Sequence, residues 1–318
     1  MSTHVIVGKG PIGSTLAAQL LADGDDVRVV SRSGAPAAGP RASLSGALDV
    51  EHVAADASDS DALVRATRGA DVIHNCVNPA YHRWPTDWPP VADALLAAAE
   101  AHDAVLVTAA NLYVYGPVTG PMTEDLPLAS RDVKGQVRAA MWREALARHE
   151  AGRVRVTEVR ASDYVGPGAL MTAHAGERLV KPLLEGRRVL RVGRVDVPHS
   201  WTYLPDLART LAAAARTEAA WGRPWHAPSP EPRTFREVAR GFAQAAGLPE
   251  PRLTTVPMWG VRALGLAQPM MAEIARIDYQ FTEPFVMDSL PAQELFGQTP
   301  TAWDEISSET LAWWRARA

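Results

Sequence analysis

The stretch HVIVGKGPIGSTLAAQLLADGDDVRVVSRS, His4 to Ser33, decides the fold. His4 to Val7 is a short apolar run, and Gly8, Gly10 and Gly13 form G-x-G-x-x-G. Ile12, Leu16, Leu20 and Leu21 then recur at helical spacing before a second strand. In such a unit Gly8 makes the tight turn, Gly10 lets backbone approach a pyrophosphate, and Gly13 lets helix pack on strand. The phosphates are expected at the helix N-terminus around Pro11, Ile12 and Gly13, where unpaired N–H groups favour negative charge. This is a dinucleotide-binding signature.

The end of the second strand bears on which dinucleotide. An NAD site commonly carries Asp or Glu there for the ribose 2′-OH. This chain has Ser31, Arg32 and Ser33 instead. A guanidinium and two hydroxyls suit a 2′-phosphate through charge-assisted hydrogen bonds, so NADP(H) is expected over NAD(H).

Working outward, 318 residues with 47% hydrophobic content allow one large domain, or a main domain with a smaller partner. No run approaches the ~20 apolar residues of a membrane helix, and no leader pattern precedes the first strand, so a cytoplasmic protein without membrane partners is expected. A net charge of −4 gives no general attraction to nucleic acid. The single cysteine, Cys76, excludes an internal disulfide and a Cys-based zinc site, and no metal is expected.

A loop of Gly, Ala, Pro and Ser follows from Gly34 to Gly46. Val50 to Ala55, Asp71 to Cys76, Ala104 to Thr108 and Val154 to Arg160 read as further strands, alternating with helices at Asp59 to Arg68, Val91 to His102 and Asp132 to Glu150. That alternation predicts an α/β, Rossmann-type, doubly wound parallel sheet. Tyr81 to Pro90, with two tryptophans and three prolines, is expected to be irregular and to lie beyond a strand end, where ligands bind. On the helix from Asp132, Val133, Val137, Met141 and Ala145 are expected on the buried face. Arg187 to Val197 reads as an irregular hairpin. Leu204 to Arg216 reads as a helix, Trp225 to Ala227 as a last strand, and the remainder as mostly helical. The main domain is expected at 1–165 plus 201–227, and a small discontinuous C-terminal substrate lid at 166–200 plus 228–318.

Several segments in register resemble the extended short-chain dehydrogenase/reductase family of epimerases and dehydratases. They include Gly8 to Gly13, Asp56-Ala57, Val114-Tyr115-Gly116, Glu124-Asp125, Gly166-Pro167-Gly168, Asp206 with its flanks, and Glu294 to Gly297 with Pro300. The resemblance implies that Asp56 with Ala57 meets the adenine, and that Asn75, Cys76, Val77, Thr108 and Tyr164 line the cofactor. It also implies a homodimer through the helices at 91–102 and 132–150.

The family works through a Ser or Thr, a tyrosine that handles the proton, and a lysine four residues on. Here the first position falls on Asn111, the tyrosine on Lys134 and the lysine on Arg138; a shifted register gives Ser130 and Lys134. Residues 116–163 contain no tyrosine. Two readings follow. In an enzyme, Lys134 and Arg138 share a helix face and the guanidinium lowers the amine's pKa, while Asn111 donates to a carbonyl oxygen. Tyr113, Tyr115 and Tyr164 are alternative donors. The favoured activity is NADPH-dependent reduction of a carbonyl, imine or conjugated alkene of a small, partly apolar metabolite, with a sugar-nucleotide epimerase or dehydratase behind it. In the second reading the protein is a catalytically silent NADP(H) sensor or structural partner. Arg187, Arg188, Arg191 and Arg194 could meet an anionic substrate, His199 and Trp201 could touch it, and Trp84, Trp88 and Trp259 would suit an apolar one.

Overall fold

The computed structural model describes residues 1–36 and 50–317. Most of the expected loop at 34–46 therefore lies outside the described residues. The main sheet comprises β1 (Thr3–Val7), β2 (Asp26–Ser31), β3 (Glu51–Ala54), β4 (Val72–Asn75), β5 (Val105–Asn111), β6 (Arg155–Ala161) and an edge strand at Pro224–His226. Their order is Pro224–His226, β6, β5, β4, β1, β2, β3, and every pairing is parallel. The order reverses beside β1, at the switch point where open α/β sheets bind dinucleotides.

Helices cover both faces, which is why the strands read as near-continuous apolar runs. On one face α1 (Pro11–Ala22) contributes Leu16 and Leu20, against Leu207 and Leu211 of the helix Leu204–Arg216. On the other, α2 (Ser60–Ala66) contributes Leu63, α3 (Trp84–His102) contributes Trp84 and Leu95, and α4 (Val133–Glu150) contributes Trp142. Asp59 and Asp132 cap α2 and α4 by accepting from Ala62 N and Lys134 N.

Three local expectations need correction. Residues 84–90 belong to α3 despite their prolines. Pro85 stands in the first turn, where no intrahelical donor is required, and Pro89 and Pro90 each forfeit a bond of about 1 kcal/mol net. Trp84 and Trp88 are fully buried, and Trp84 Nε1 donates to Pro79 O at 3.0 Å. Burying an indole contributes about 4 kcal/mol, so the helix survives. On α4 the buried residues are Lys134, Gly135, Arg138, Ala139 and Trp142, Val137, Met141 and Ala145 are half-buried, and Val133 is 38% exposed. Lys134 turns inward to meet Glu273 and Asp132, and Arg138 to lie over Trp84 and Trp88. Finally, Val189–Val192 pairs in parallel with Leu253–Val256 instead of forming a hairpin, which buries Val189 and Arg191.

The C-terminal region has an apolar core of its own around Leu179, Val180, Phe235, Phe242, Trp303 and Trp314. Among the described residues no helix is long and apolar enough to cross a membrane.

Candidate functional site

The glycine turn has the geometry a dinucleotide needs. Gly8 has φ +113°, and a Cβ there would stand 2.6 Å from Cys76 O. A Cβ on Gly13 would come 2.0 Å from Gly8 O, so only glycine lets α1 start this close to β1. Around Gly10 a Cβ would meet nothing within 4 Å. That open space is what a ligand approaching the backbone requires. No side chain caps α1, and Pro11 opens it, leaving the first N–H groups for an anion. The residues present thus fit a dinucleotide.

Around this turn, Asn75 ends β4 and its Oδ1 accepts from Val77 N at 3.2 Å. Burial pushes the Cys76 thiol up to about 12, leaving it neutral and unreactive. Asp56 follows β3 and accepts from Ser58 N and Oγ at 3.0 and 2.8 Å; these bonds, with the nearby Arg32 charge, lower its carboxyl against a small burial effect. Lys9, which the sequence reading passed over, donates to Ser33 Oγ at 2.7 Å and Ala35 O at 2.8 Å. Its signal was its place inside the glycine motif.

The opposite end gathers tyrosines. Tyr113 sits in a 3-10 turn after β5, where Asn111 Oδ1 accepts from Tyr113 N at 3.2 Å. That bond commits the Asn111 carbonyl and leaves its amide N–H groups as what it can offer a substrate. The hydroxyls of Tyr113 and Tyr81 are 3.0 Å apart. Burial raises both phenols, Tyr113 the further; the hydrogen bond with Tyr113 and the charge of Arg138 offset part of the rise at Tyr81. Burial also raises Tyr164, against a lowering by Arg138. Tyr81 falls in the 81–90 segment expected beyond a strand end, but no motif marks it individually.

Arg138 lies under this group. Its guanidinium carbon is 4.2 Å from the Trp88 ring centroid and 4.9 Å from that of Trp84. It is buried, and Nε and Nη1 have no hydrogen-bond partner among the described residues. Beside it a cavity of about 30 Å³ is lined in part by Asn75, Thr108, Arg138 and Glu158. That is room for one or two waters and far too little for a cofactor.

Lys134 is placed differently. Its Nζ is 2.7 Å from Glu273 Oε2, 3.2 Å from Glu273 O and 3.4 Å from Asp132 Oδ1, and it is fully buried. Two carboxylates consume its donors. Tyr115 is also committed: Arg160 Nη1 donates to its hydroxyl at 2.6 Å, and that hydroxyl meets His226 Nε2 at 2.7 Å. The four C-terminal arginines do not cluster. Arg187 pairs with Glu185, Arg188 and Arg194 are exposed, and Arg191 is buried against Phe235, Phe281 and Trp201. Trp201 is core, Trp259 is 74% exposed, and His199 is buried with Nε2 2.9 Å from Asp163 Oδ2.

The sequence profile of the NAD-dependent epimerase/dehydratase family matches residues 5–225. The chain belongs to that family. No curated protein matches the sequence. Among solved structures, it is similar to a dTDP-glucose 4,6-dehydratase from Bacillus anthracis in complex with NAD, at 16% identity, 99% of this chain and 97% of that chain, with a TM-score of 0.81. It is similar also to a UDP-glucuronic acid 4-epimerase from Bacillus cereus in complex with NAD, at 18% identity over 99% and 100%, TM-score 0.79. A UDP-glucose 4-epimerase from Thermus thermophilus in complex with NAD gives 18% over 99% and 100%, TM-score 0.80.

These relatives correct the cofactor expectation, since all of them hold NAD and not NADP. The structure supplies a physical reason. The Ser33 hydroxyl is already engaged by Lys9 at 2.7 Å. One of the polar groups that suggested a 2′-phosphate is thus matched within the chain.

Proposed function

We propose that this family member is an NAD-dependent enzyme of the epimerase/dehydratase type. It interconverts a secondary hydroxyl and a ketone on a sugar nucleotide, using the Tyr113-Tyr81 pair in place of a helix tyrosine. The observation that carries this is the paired phenols beside Arg138, two of whose nitrogens are buried with no hydrogen-bond partner among the described residues. Such a cation in low dielectric is expensive unless it stabilises charge that forms during a reaction.

Gly8, Gly10, Gly13, Asn75 and Asp56 would hold NAD, which when bound supplies reversible hydride exchange with a carbinol carbon. The two phenols divide the proton work. Tyr113, the more strongly raised, keeps its proton and serves as the donor at Oη. Tyr81 exchanges the proton with the substrate oxygen at its Oη, releasing it in the reduction and regaining it in the oxidation, because the hydrogen bond with Tyr113 and the charge of Arg138 offset part of the rise that burial gives it. The Asn111 amide orients the substrate oxygen. Lys134 belongs to the scaffold in this account, since its ion pair with Glu273 holds α4 against the C-terminal helix Pro269–Arg276.

The test is NAD titration followed by incubation with UDP-glucose and dTDP-glucose, with products read by NMR. NAD binding and turnover are expected, and Tyr113→Phe should reduce turnover by about 10²- to 10⁴-fold at unchanged NAD affinity. Tight NAD binding with neither sugar nucleotide converted would overturn the assignment in favour of a silent NAD-binding protein.

A further inference from the structure

A helical hairpin lies over the reacting end, formed by the helices Met258–Gly265 and Pro269–Arg276. The two cross closely, since a Cβ on Gly265 would stand 2.9 Å from Ala272 Cα, and they therefore move as one body. The second helix packs on the 3-10 turn Tyr81–Arg83, while Val261, Ile274 and Ile277 join the core that holds Trp84 and Tyr113. Tyr113 is 6% exposed under this cover. A sugar that is to meet its hydroxyl needs the cover moved.

Little holds the hairpin down. The helix Met258–Gly265 buries one residue, Val261, and Pro269–Arg276 buries two, Glu273 and Ile274, whereas Leu204–Arg216 buries nine. Helices this short do not persist without packing, and sparse burial marks the segments that open most easily. Among the described residues, every hydrogen bond and ion pair of residues 257–276 stays within 257–278, except those made with Lys134. The base, by contrast, is pinned. Gly193 N donates to Val256 O at 3.0 Å and Arg194 N to Phe281 O at 2.9 Å, so two consecutive residues grip the chain on either side of the hairpin.

Lys134 is the one polar catch. Its Nζ donates to Glu273 Oε2 and Glu273 O, and Glu273 Oε1 accepts from Arg276 Nη1 at 2.7 Å. If the hairpin lifts, both charges return to water, which offsets much of the attraction given up. Lys134 then keeps Asp132 beside it and Glu273 keeps Arg276, so neither charge is stranded. The geometry points to residues 257–276 as a lid latched by Lys134 and Glu273. It lifts about Val256 and Phe281 to admit the substrate and closes over Tyr81 and Tyr113 for the reaction. The inference rests on the reading that these two phenols mark the reacting end.

Hydrogen exchange read by mass spectrometry on the NAD-loaded full chain, without sugar, tests the lid. Amides of residues 258–276 are expected to exchange at least about tenfold faster than those of β4 and β5. Lys134→Met leaves the buried Glu273 short of a partner and should raise hairpin exchange by a further tenfold or about that, with β4 and β5 within about twofold of wild type. Glu273→Gln should act in the same direction from the other side of the pair. In both variants nitration of Tyr113 by tetranitromethane, read on its peptide, should rise at least about threefold as the phenol is uncovered. Hairpin and sheet exchanging together in wild type, an effect of Lys134→Met spread equally over the sheet, or Tyr113 nitration unmoved in both variants each overturns the inference. Should Lys134→Met not fold, Glu273→Gln decides by itself. The sugar-nucleotide assignment fails separately, when the lid behaves as expected but UDP-glucose and dTDP-glucose are not converted.

Discussion

Two buried arginines lie close to Glu158, and the contrast between them separates scaffold from site. Arg160 pairs with Glu158 at 2.6 Å and donates to Tyr115 at 2.6 Å; Tyr115 meets His226, whose Nδ1 is 2.6 Å from Asp288 O. Each residue of that chain bonds another inside the protein, and only Arg160 Nη2 lacks a hydrogen bond among the described residues. Arg138 feels the field of the same Glu158 and lies over Trp84 and Trp88, yet two of its nitrogens have no hydrogen-bond partner among the described residues. A satisfied network specifies a fold, and an open one is held ready for a ligand.

The comparison can be broken most forcefully at Arg160. Arg160→Met strands the Glu158 carboxylate in the interior and should cost about 3–5 kcal/mol in denaturant unfolding. A loss near zero would mean that the closed network is not structural.

A smaller effect comes from acid. Burial, with the Arg160 charge, lowers His226 to about 4, although its bond to Asp288 O acts the other way. The folded value lies below the ordinary ~6.5, so the unfolded chain takes up the proton first. Stability from this group is therefore complete above about pH 6.5 and declines as pH falls toward 4, by about 2 kcal/mol at pH 5. Unfolding free energies at pH 7 and pH 5 should differ by about that much less in His226→Gln than in wild type. An identical difference in both proteins would remove His226 from the acid-sensitive set.

The smallest expected change is at the open network. Arg138→Met gives up cation-π contacts of about 1–2 kcal/mol but also removes a buried, under-bonded charge, so stability should stay within about 1 kcal/mol of wild type. Turnover should nevertheless collapse. If Arg138→Met proves as destabilising as Arg160→Met, the distinction between the two networks disappears.

Much of the scaffold was legible. Gly8 and Gly13 are required by backbone contacts at 2.6 and 2.0 Å, a local constraint that leaves its mark in three glycines. Asp206, singled out within a motif, accepts from Thr301 N and Oγ1 at 2.8 and 2.6 Å, which joins two stretches that the resemblance had quoted separately. Less of the site was legible. Lys134 and Arg138 sit four apart on one helix and look equivalent. One lies against Glu273, 139 residues on, and the other lies over Trp84 and Trp88. Tyr81 was hidden for a related reason, because the prolines that follow it read as a break until the burial of two tryptophans is counted.

The sequence by itself determined the parallel sheet, the switch point and the glycine cradle, because strand periodicity and steric demands on a turn act between near neighbours. Which NAD-family chemistry the chain can support was decided by tertiary structure. A buried side chain's proton affinity depends on what is brought within a few ångströms of it, and for Tyr113 and Arg138 those neighbours come from distant parts of the chain.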